Sequence, residues 1–369
     1  MLRRALVAAA VLAACDEPPA AYAWDLPAWL PEPHVPADNP MSEEKVALGR
    51  ALFYDERLSH NETMSCASCH EQARAFTDGK ATTEGSTGHA LPRNAMGLTN
   101  VAYLSVYTWA NPKLVDLEGQ ALVPMFADFP LELGVQQDTP AILKRFRDDA
   151  DMAGLFAAAF PDDEDPVTVE RITHALASFQ RTLIARDSAY DRAVYGEDPS
   201  AMSAAARRGL RLFFDERTEC YHCHAGVGFT TAFRSADSEL GPPDFQNNGL
   251  YNLDGAGAYP IGNGGLYDVT GDPRDQGKFR VPTLRNIALT APYMHDGSIA
   301  TLAEVVEHYA AGGREIEDGP FAGDGRRNPN KSALIHELDL TADEKADLVA
   351  FLESLTDVTL TTDPRFGPP

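Results

Sequence analysis

The sequence predicts a mainly α fold built as two tandem halves with long ordered loops, and three observations predict it. A stretch recurs: Gly49-Arg-Ala-Leu-Phe-Tyr-Asp-Glu-Arg57 returns as Gly209-Leu-Arg-Leu-Phe-Phe-Asp-Glu-Arg217, and Leu98-Thr-Asn100-Val-Ala is matched by Leu284-Arg-Asn286-Ile-Ala, with Trp109 and His295 nine residues past each asparagine. Each copy runs into a Cys-x-x-Cys-His sequence, Cys66-Ala-Ser-Cys69-His70 and Cys220-Tyr-His-Cys223-His224. Strand-like segments are few and short, whereas capped helical patterns recur. A chain of 369 residues is long enough for two such domains, each with its own core.

In chain order, Arg3 and Arg4 precede an apolar run from Ala5 to Ala14, and Leu12-Ala13-Ala14-Cys15 has the small residues of a bacterial lipoprotein cleavage site. Residues 1–15 therefore read as a signal peptide ending in a lipidated cysteine, the run being too short for a permanent membrane span. The alternative is an ordinary secretion signal with an incidental cysteine. Residues 16–40, rich in Pro and Ala, read as a tether between lipid and enzyme. The halves that follow are 41–195 and 196–369. A capping box at Thr341-Ala-Asp-Glu344 opens a last helix, Asp343 to Leu355, and the same signal at Ser42 opens the first. An amphipathic helix from about Val167 to Ala193 is expected to link the halves, and the Gly- and Asp-rich stretch from Gly241 to Asp275 reads as a long ordered loop. The helix Leu302 to Ala311 begins with the box Thr301-Leu-Ala-Glu304 and ends at Gly312-Gly313. Its Leu302, Val305, Val306 and Tyr309 fall at i, i+3, i+4 and i+7, which places Tyr309 on the buried face and turns His308 towards solvent. The acidic runs Asp148-Asp149-Ala-Asp151 and Asp162-Asp163-Glu164-Asp165 lack EF-hand spacing and read as solvated charges at loops and helix starts.

The two Cys-x-x-Cys-His runs carry the chemistry. In such a run both cysteines add across haem vinyl groups and the histidine falls under the ring as an axial iron ligand. A zinc site or a redox Cys-x-x-Cys pair gives no reason for a histidine to follow both second cysteines. Two covalent c-type haems are thus expected, on Cys66, Cys69 and His70 and on Cys220, Cys223 and His224, replacing part of each apolar core. They use four of the five cysteines, and Cys15 takes the fifth, so no disulfide remains. The formal charge of −24 excludes nucleic acid as a natural partner and would steer a small basic electron donor or a basic protein substrate.

Further elements are Arg93-Asn94, Trp109, Leu117-Glu-Gly-Gln120, Pro124, Glu132, Thr283-Leu-Arg-Asn286 and Ala291-Pro-Tyr-Met-His-Asp-Gly297. With the two haem motifs they resemble the bacterial di-haem cytochrome c peroxidases and their relative MauG over about residues 41 to 357. The stretch Trp109-Ala-Asn-Pro-Lys, Gln120-Ala-Leu-Val-Pro124-Met and Pro130-Leu-Glu-Leu-Gly134 is similar to a subgroup that includes MbnH, partner of a small periplasmic copper protein. There, as here, the Trp-Asp-Gly-Arg of the peroxidases is absent. The resemblance implies two tandem cytochrome c-like domains, export to the periplasm, and a peroxide site at the first haem. His70 would be the proximal ligand, Glu132 the distal acid–base group, Gln120 the residue that orients bound oxygen, and Pro124 the residue that limits access. The apolar neighbours of Glu132, Phe129-Pro-Leu-Glu-Leu, would raise its pKa. Trp109 would relay electrons between haems, and Asn94, Thr290 and Pro292 would hold one calcium ion. His89 matches a histidine that closes the first haem in resting peroxidases, and is expected not to ligate iron here.

The sixth ligand of the second haem separates the functions. In the peroxidases a methionine stands fourteen residues after the histidine of His-Asp-Gly; counting from His295 reaches Tyr309, as in MauG. The residues leave three alternatives: a five-coordinate haem with Tyr309 as a core aromatic, ligation by His308, or ligation by Met294. A phenolate favours Fe(III) and higher oxidation states, whereas a thioether favours Fe(II). The leading expectation is an enzyme that uses H2O2 to form a high-valent di-haem state and oxidises a secreted partner protein, at a tryptophan and to kynurenine in a copper-binding protein. The alternative is a periplasmic cytochrome c peroxidase drawing electrons from a small cytochrome or cupredoxin. A plain di-haem electron carrier would need no distal acid or base.

Overall fold

A computed structural model describes residues 22–239, 241 and 244–369; the expected signal peptide, Cys15 and residues 16–21 lie outside them. The helices are α1 (Glu43–Tyr54), α2 (Leu117–Phe126), α3 (Thr139–Asp148), α4 (Ala150–Ala159), α5 (Val169–Arg181), α6 (Ala189–Val194), α7 (Ala204–Phe213), α8 (Cys220–Cys223), α9 (Tyr267–Thr270), α10 (Leu302–Ala310), α11 (Ala342–Glu353) and α12 (Thr359–Thr362). Two short antiparallel pairs, Phe245–Gln246 with Phe279–Arg280 and Glu315–Ile316 with Gly323–Asp324, are the strands among the described residues. The fold is mainly α, as the patterning predicts.

The duplication is structural. In the first half α1 packs on α5, and in the second α7 packs on α11. Each crossing is so close that a Cβ on Gly49 would lie 1.9 Å from the Ala175 carbonyl oxygen, and one on Gly209 would lie 1.9 Å from that of Asp347. Only glycine fits at these two repeat positions. The second repeat element is a clamp. Asn100 and Asn286 both adopt left-handed backbone, φ 58°. Asn100 donates to the Ala185 carbonyl (3.2 Å) and accepts from the Ala185 amide (3.0 Å). Asn286 treats Asp357 in the same way, at 3.4 and 2.6 Å. Each asparagine thereby pins the chain that leaves the second helix of its half.

Four sequence expectations are corrected. The linking helix is not continuous: α5 ends at Arg181, residues 182–188 are irregular, and a reciprocal capping box between Ser188 and Asp191 starts α6. The Asn100 clamp and the bonds from the Arg186 and Asp187 amides to the Asp357 carboxylate hold that segment out of helical geometry. The first core cluster reaches Ala185 and Tyr190 belongs to the second, while Ala232, Phe245 and Leu360 pack into the first and Ala110 into the second. Residues 22–40 are a packed strap and no free tether, because they carry large apolar groups. Leu30 is buried with Ala102, Tyr103 and Ile184, Trp29 stacks on Tyr195 (4.4 Å between centroids), and the Tyr103 hydroxyl donates to the Pro31 carbonyl. Ser42 caps α1 by accepting from the Lys45 amide, but Lys45 cannot accept in return, so no reciprocal box forms there. His308 is buried, with Nε2 bonded to the Asn248 carbonyl (3.1 Å), because the 247–249 loop covers the α10 face that the helical wheel assigned to solvent.

Candidate active site

Both attachment histidines are oriented by the same device. His70 Nδ1 lies 2.8 Å from the Phe76 carbonyl oxygen and His224 Nδ1 lies 3.0 Å from that of Phe229. A carbonyl only accepts, so Nδ1 carries the proton and Nε2 is left with its lone pair for a metal. Phe76 and Phe229 are fully buried and both have positive φ, 62° and 49°. A bulky residue in that region is strained, and here the turn brings the carbonyl onto the histidine. Burial lowers the pKa of both histidines, that of His224 to about 4, so both are neutral and ready to ligate. Burial also raises all four thiols, Cys66 to about 12 and Cys223 to about 11. A neutral thioether is the form such surroundings favour.

The second site opens into a large apolar cavity lined by Cys220, Cys223, His224, Met294, Tyr309 and Trp109. Its polar residues fit a haem. Arg280 lines it, is 3 % exposed, and donates to the Thr108 and Val281 carbonyls with no carboxylate partner among the described residues. A buried guanidinium without an anion is costly, and a haem propionate would supply one. His295 Nε2, also buried, has no hydrogen-bond partner. Burial raises the Tyr309 phenol to about 12, opposed by a hydrogen bond from Asn248. Asn248 Nδ2 lies 3.3 Å from the sulfur of Met294, which engages the alternative ligand.

At the first site Glu132 lies near enough to Cys66 and Cys69 for its charge to raise both thiols, and burial raises its own pKa above the ordinary carboxylate value. Phe129 is itself 76 % exposed and lies edge-on to His89. Gln120 and Pro124 lie one turn apart on α2, and the Pro124 carbonyl accepts from the Leu133 amide (2.9 Å), tying α2 to the Glu132 segment. His89 is exposed, its Nδ1 3.0 Å from the Thr87 hydroxyl. Sequence reasoning passed over His60 and Ser86, which flank this segment: the His60 amide donates to the Leu133 carbonyl and the Ser86 amide to that of Glu132, while His60 Nε2 and Ser86 Oγ are buried without partners. Their spacing gives no signal.

Trp109 joins the halves. Its Nε1 donates to the Asn94 carbonyl (2.9 Å), its own carbonyl accepts from the Arg280 amide (2.8 Å), and the Asn94 amide donates to the His295 carbonyl (2.8 Å). Asn94, Thr290 and Pro292 line the same cavity, and Asn94 Nδ2 donates to the Lys80 carbonyl, which leaves its side-chain oxygen for a cation.

A duplicated helical fold with two attachment sites, each with a pre-oriented histidine, defines a di-haem c-type oxidoreductase. Residues 43–199 match the family model of the di-haem cytochrome c peroxidases. The methylamine utilization protein MauG of Methylorubrum extorquens is 34 % identical over 323 residues, 88 % of this chain and 81 % of its own length. A cytochrome-c peroxidase of Denitromonas iodatirespirans is 36 % identical over 358 residues, 91 % of this chain and 88 % of its own. The chain belongs to the di-haem cytochrome c peroxidase/MauG family. In structure it is similar to a MauG-like protein associated with microbial copper homeostasis, with a TM-score of 0.92 and 53 % identity over 95 % of this chain and 99 % of that one. The di-haem peroxidase BthA of Burkholderia thailandensis, at 23 % identity, shares the fold with a TM-score of 0.67.

Proposed function

We propose that this chain uses H2O2 to oxidise a secreted partner protein at a tryptophan. The observation that carries the reading is Tyr309, which lines the cavity of the second attachment site with His224 while Asn248 engages the Met294 sulfur. When bound, the haems supply the reaction with peroxide and hold its oxidising equivalents. The chain's residues do the rest. Glu132, its pKa raised by burial, takes a proton from one peroxide oxygen and returns it to the other. Gln120 would orient the peroxide by hydrogen bonding and Pro124 would narrow its approach. Trp109 passes electrons between the halves; its indole N–H is bonded to a neutral carbonyl that cannot take a proton, so on losing an electron it stays a cation radical and readily regains one. We further propose one calcium ion at Asn94, Thr290 and Pro292, a periplasmic location and a lipid anchor at Cys15.

The likeness to a MauG-like protein of copper homeostasis supports a copper-binding partner, with kynurenine as the product. Mass spectrometry of the partner after mixing with enzyme and H2O2 tests this: oxygen added at a tryptophan is expected. A second reading, peroxide detoxification with electrons from a small cytochrome or cupredoxin, is favoured by the peroxidase relatives and by an acidity that suits a basic donor. An unmodified partner, alongside rapid multiple turnover of peroxide with a reduced small cytochrome, would decide for it.

A further inference from the structure

We propose that Tyr259 and Tyr251 form a redox path from the Trp109 region to the protein surface beside Phe321, with Asp296 as the proton acceptor of Tyr251. The inference rests on the peroxide-driven reading above and adds the route by which oxidising equivalents leave the interior.

An unbroken series of aromatic rings carries it. Trp109 meets His295 edge-on, 6.5 Å between centroids, and His295 is stacked on Phe279 at 3.9 Å. Tyr259 lies 6.2 Å from both His295 and Phe279. Tyr251 follows at 5.5 Å, and Phe321 lies edge-on to Tyr251 at 5.9 Å. Tyr259 and Tyr251 are 5 % and 4 % exposed, whereas Phe321 is 46 % exposed, so the series runs from the core to solvent. Each step is a contact between packed rings, short enough for an electron to hop.

The two tyrosines differ in what can take their proton. Tyr259 donates to the Asn247 side-chain oxygen (3.0 Å), a neutral amide that cannot be protonated at ordinary pH. Loss of an electron there leaves a high-energy cation, so Tyr259 acts as a bridge. Tyr251 donates to Asp296 Oδ2 at 2.6 Å. When an electron leaves Tyr251, its O–H bond breaks and the proton moves to that carboxylate, giving a neutral phenoxyl radical and a neutral carboxylic acid. The Arg314 guanidinium, 5.9 Å over the Tyr251 ring, opposes a ring cation and so favours the proton-coupled product. The oxidant is H2O2, which takes two electrons and two protons to become two waters; Tyr251 supplies one electron at a time. An external donor at the Phe321 face returns that electron and Asp296 returns the proton, which closes the cycle.

The test is electron paramagnetic resonance of the di-haem holoprotein, with ring-deuterated tyrosine, freeze-quenched after mixing with H2O2. A neutral tyrosyl signal narrowed by the deuterium is expected. In Tyr251→Phe it should fall at least tenfold, while haem content and the response of haem absorption to peroxide stay as in the wild type. Tyr259→Phe should slow its appearance at least tenfold, and Asp296→Asn should lower its yield without removing the ring. Because Asp296 becomes a hydrogen-bond donor to the phenoxyl oxygen, high-field spectra of the unaltered protein should report a hydrogen-bonded radical, which needs no variant to fold. A haem response without any tyrosyl signal, or an undiminished signal in a folded Tyr251→Phe protein, overturns the path and leaves the proposed function standing. Haem absorption that ignores peroxide overturns both.

Discussion

Replacing Tyr309 by phenylalanine tests the residue on which the functional reading turns. The phenol is pushed up to about 12 by burial. Forming the phenolate at neutral pH therefore costs about 7 kcal/mol unless a cation stands at bonding distance. Asn248 is the hydrogen-bonding neighbour that favours the phenolate, and no Lys or Arg donates to the Tyr309 hydroxyl among the described residues. A ferric haem held by His224 would supply a positive charge large enough to offset that cost. The holoprotein should thus show one high-spin ferric haem and one low-spin ferric His/Tyr haem by electron paramagnetic resonance. The low-spin signal should hold from mildly acid to mildly alkaline solution, since an unligated phenol here would stay protonated throughout. In Tyr309→Phe the ring remains to fill its place beside Val305 and Val306, and Cys220 and Cys223 would still hold the haem. Haem content should stay constant while the low-spin signal is lost or displaced. An unchanged low-spin signal would refute the reasoning and move the ligand to Met294 or to His308, whose Nδ1 is buried without a hydrogen-bond partner while its Nε2 is bonded to the Asn248 carbonyl.

Three further outcomes are expected. Glu132→Gln should slow the peroxide reaction by roughly a hundredfold or more, the scale of a lost acid–base group, as read by stopped-flow absorption. Because burial raises the Glu132 pKa and the base must be ionised to accept a proton, the wild-type rate should rise with pH through a midpoint above the ordinary carboxylate value, and a flat profile would remove Glu132 from the role. Trp109→Phe should suppress oxygenation of the partner while peroxide still reacts, and full partner modification in that variant would route the electrons elsewhere. Arg285→Leu leaves Asp191 buried without its partner (2.9 Å, both side chains 2 % exposed or less) and removes the cation over Trp29 and Phe229. It should lower unfolding stability by about 3–5 kcal/mol in urea titration, and a loss below 1 kcal/mol, measured against that scale, would count the pair as dispensable.

What was legible in the sequence is what chemistry or local geometry writes into neighbouring residues. The haem runs are covalent motifs, the caps at Thr301 and Thr341 are local hydrogen bonds, and the Gly49 and Gly209 repeat marks two helix crossings that admit no side chain. The phase of α10 puts Tyr309 at the cavity for the same reason, since a helix of this length has one regular wheel. The misreadings share a different origin. His308 is buried because a loop sixty residues earlier covers a second face of α10, which a wheel drawn for one helix cannot contain. The Pro- and Ala-rich composition of residues 22–40 hides that Trp24, Trp29 and Leu30 are spaced to pack on a surface the fold must first build. The break after Arg181 did leave a local trace, Ser188 three residues before Asp191, but helical periodicity across it outweighed the trace until Asn100 supplied the competing bonds. Asn100 itself lay in the recognised repeat, and its left-handed backbone was open to inference from an asparagine at matching places in both halves. The carbonyls of Phe76 and Phe229 were not, since nothing in the residue type announces a strained turn. Those two carbonyls show why a site like this one has to be finished by structure: the motif names the histidine that can bind iron, and a residue five or six places on decides which nitrogen it offers.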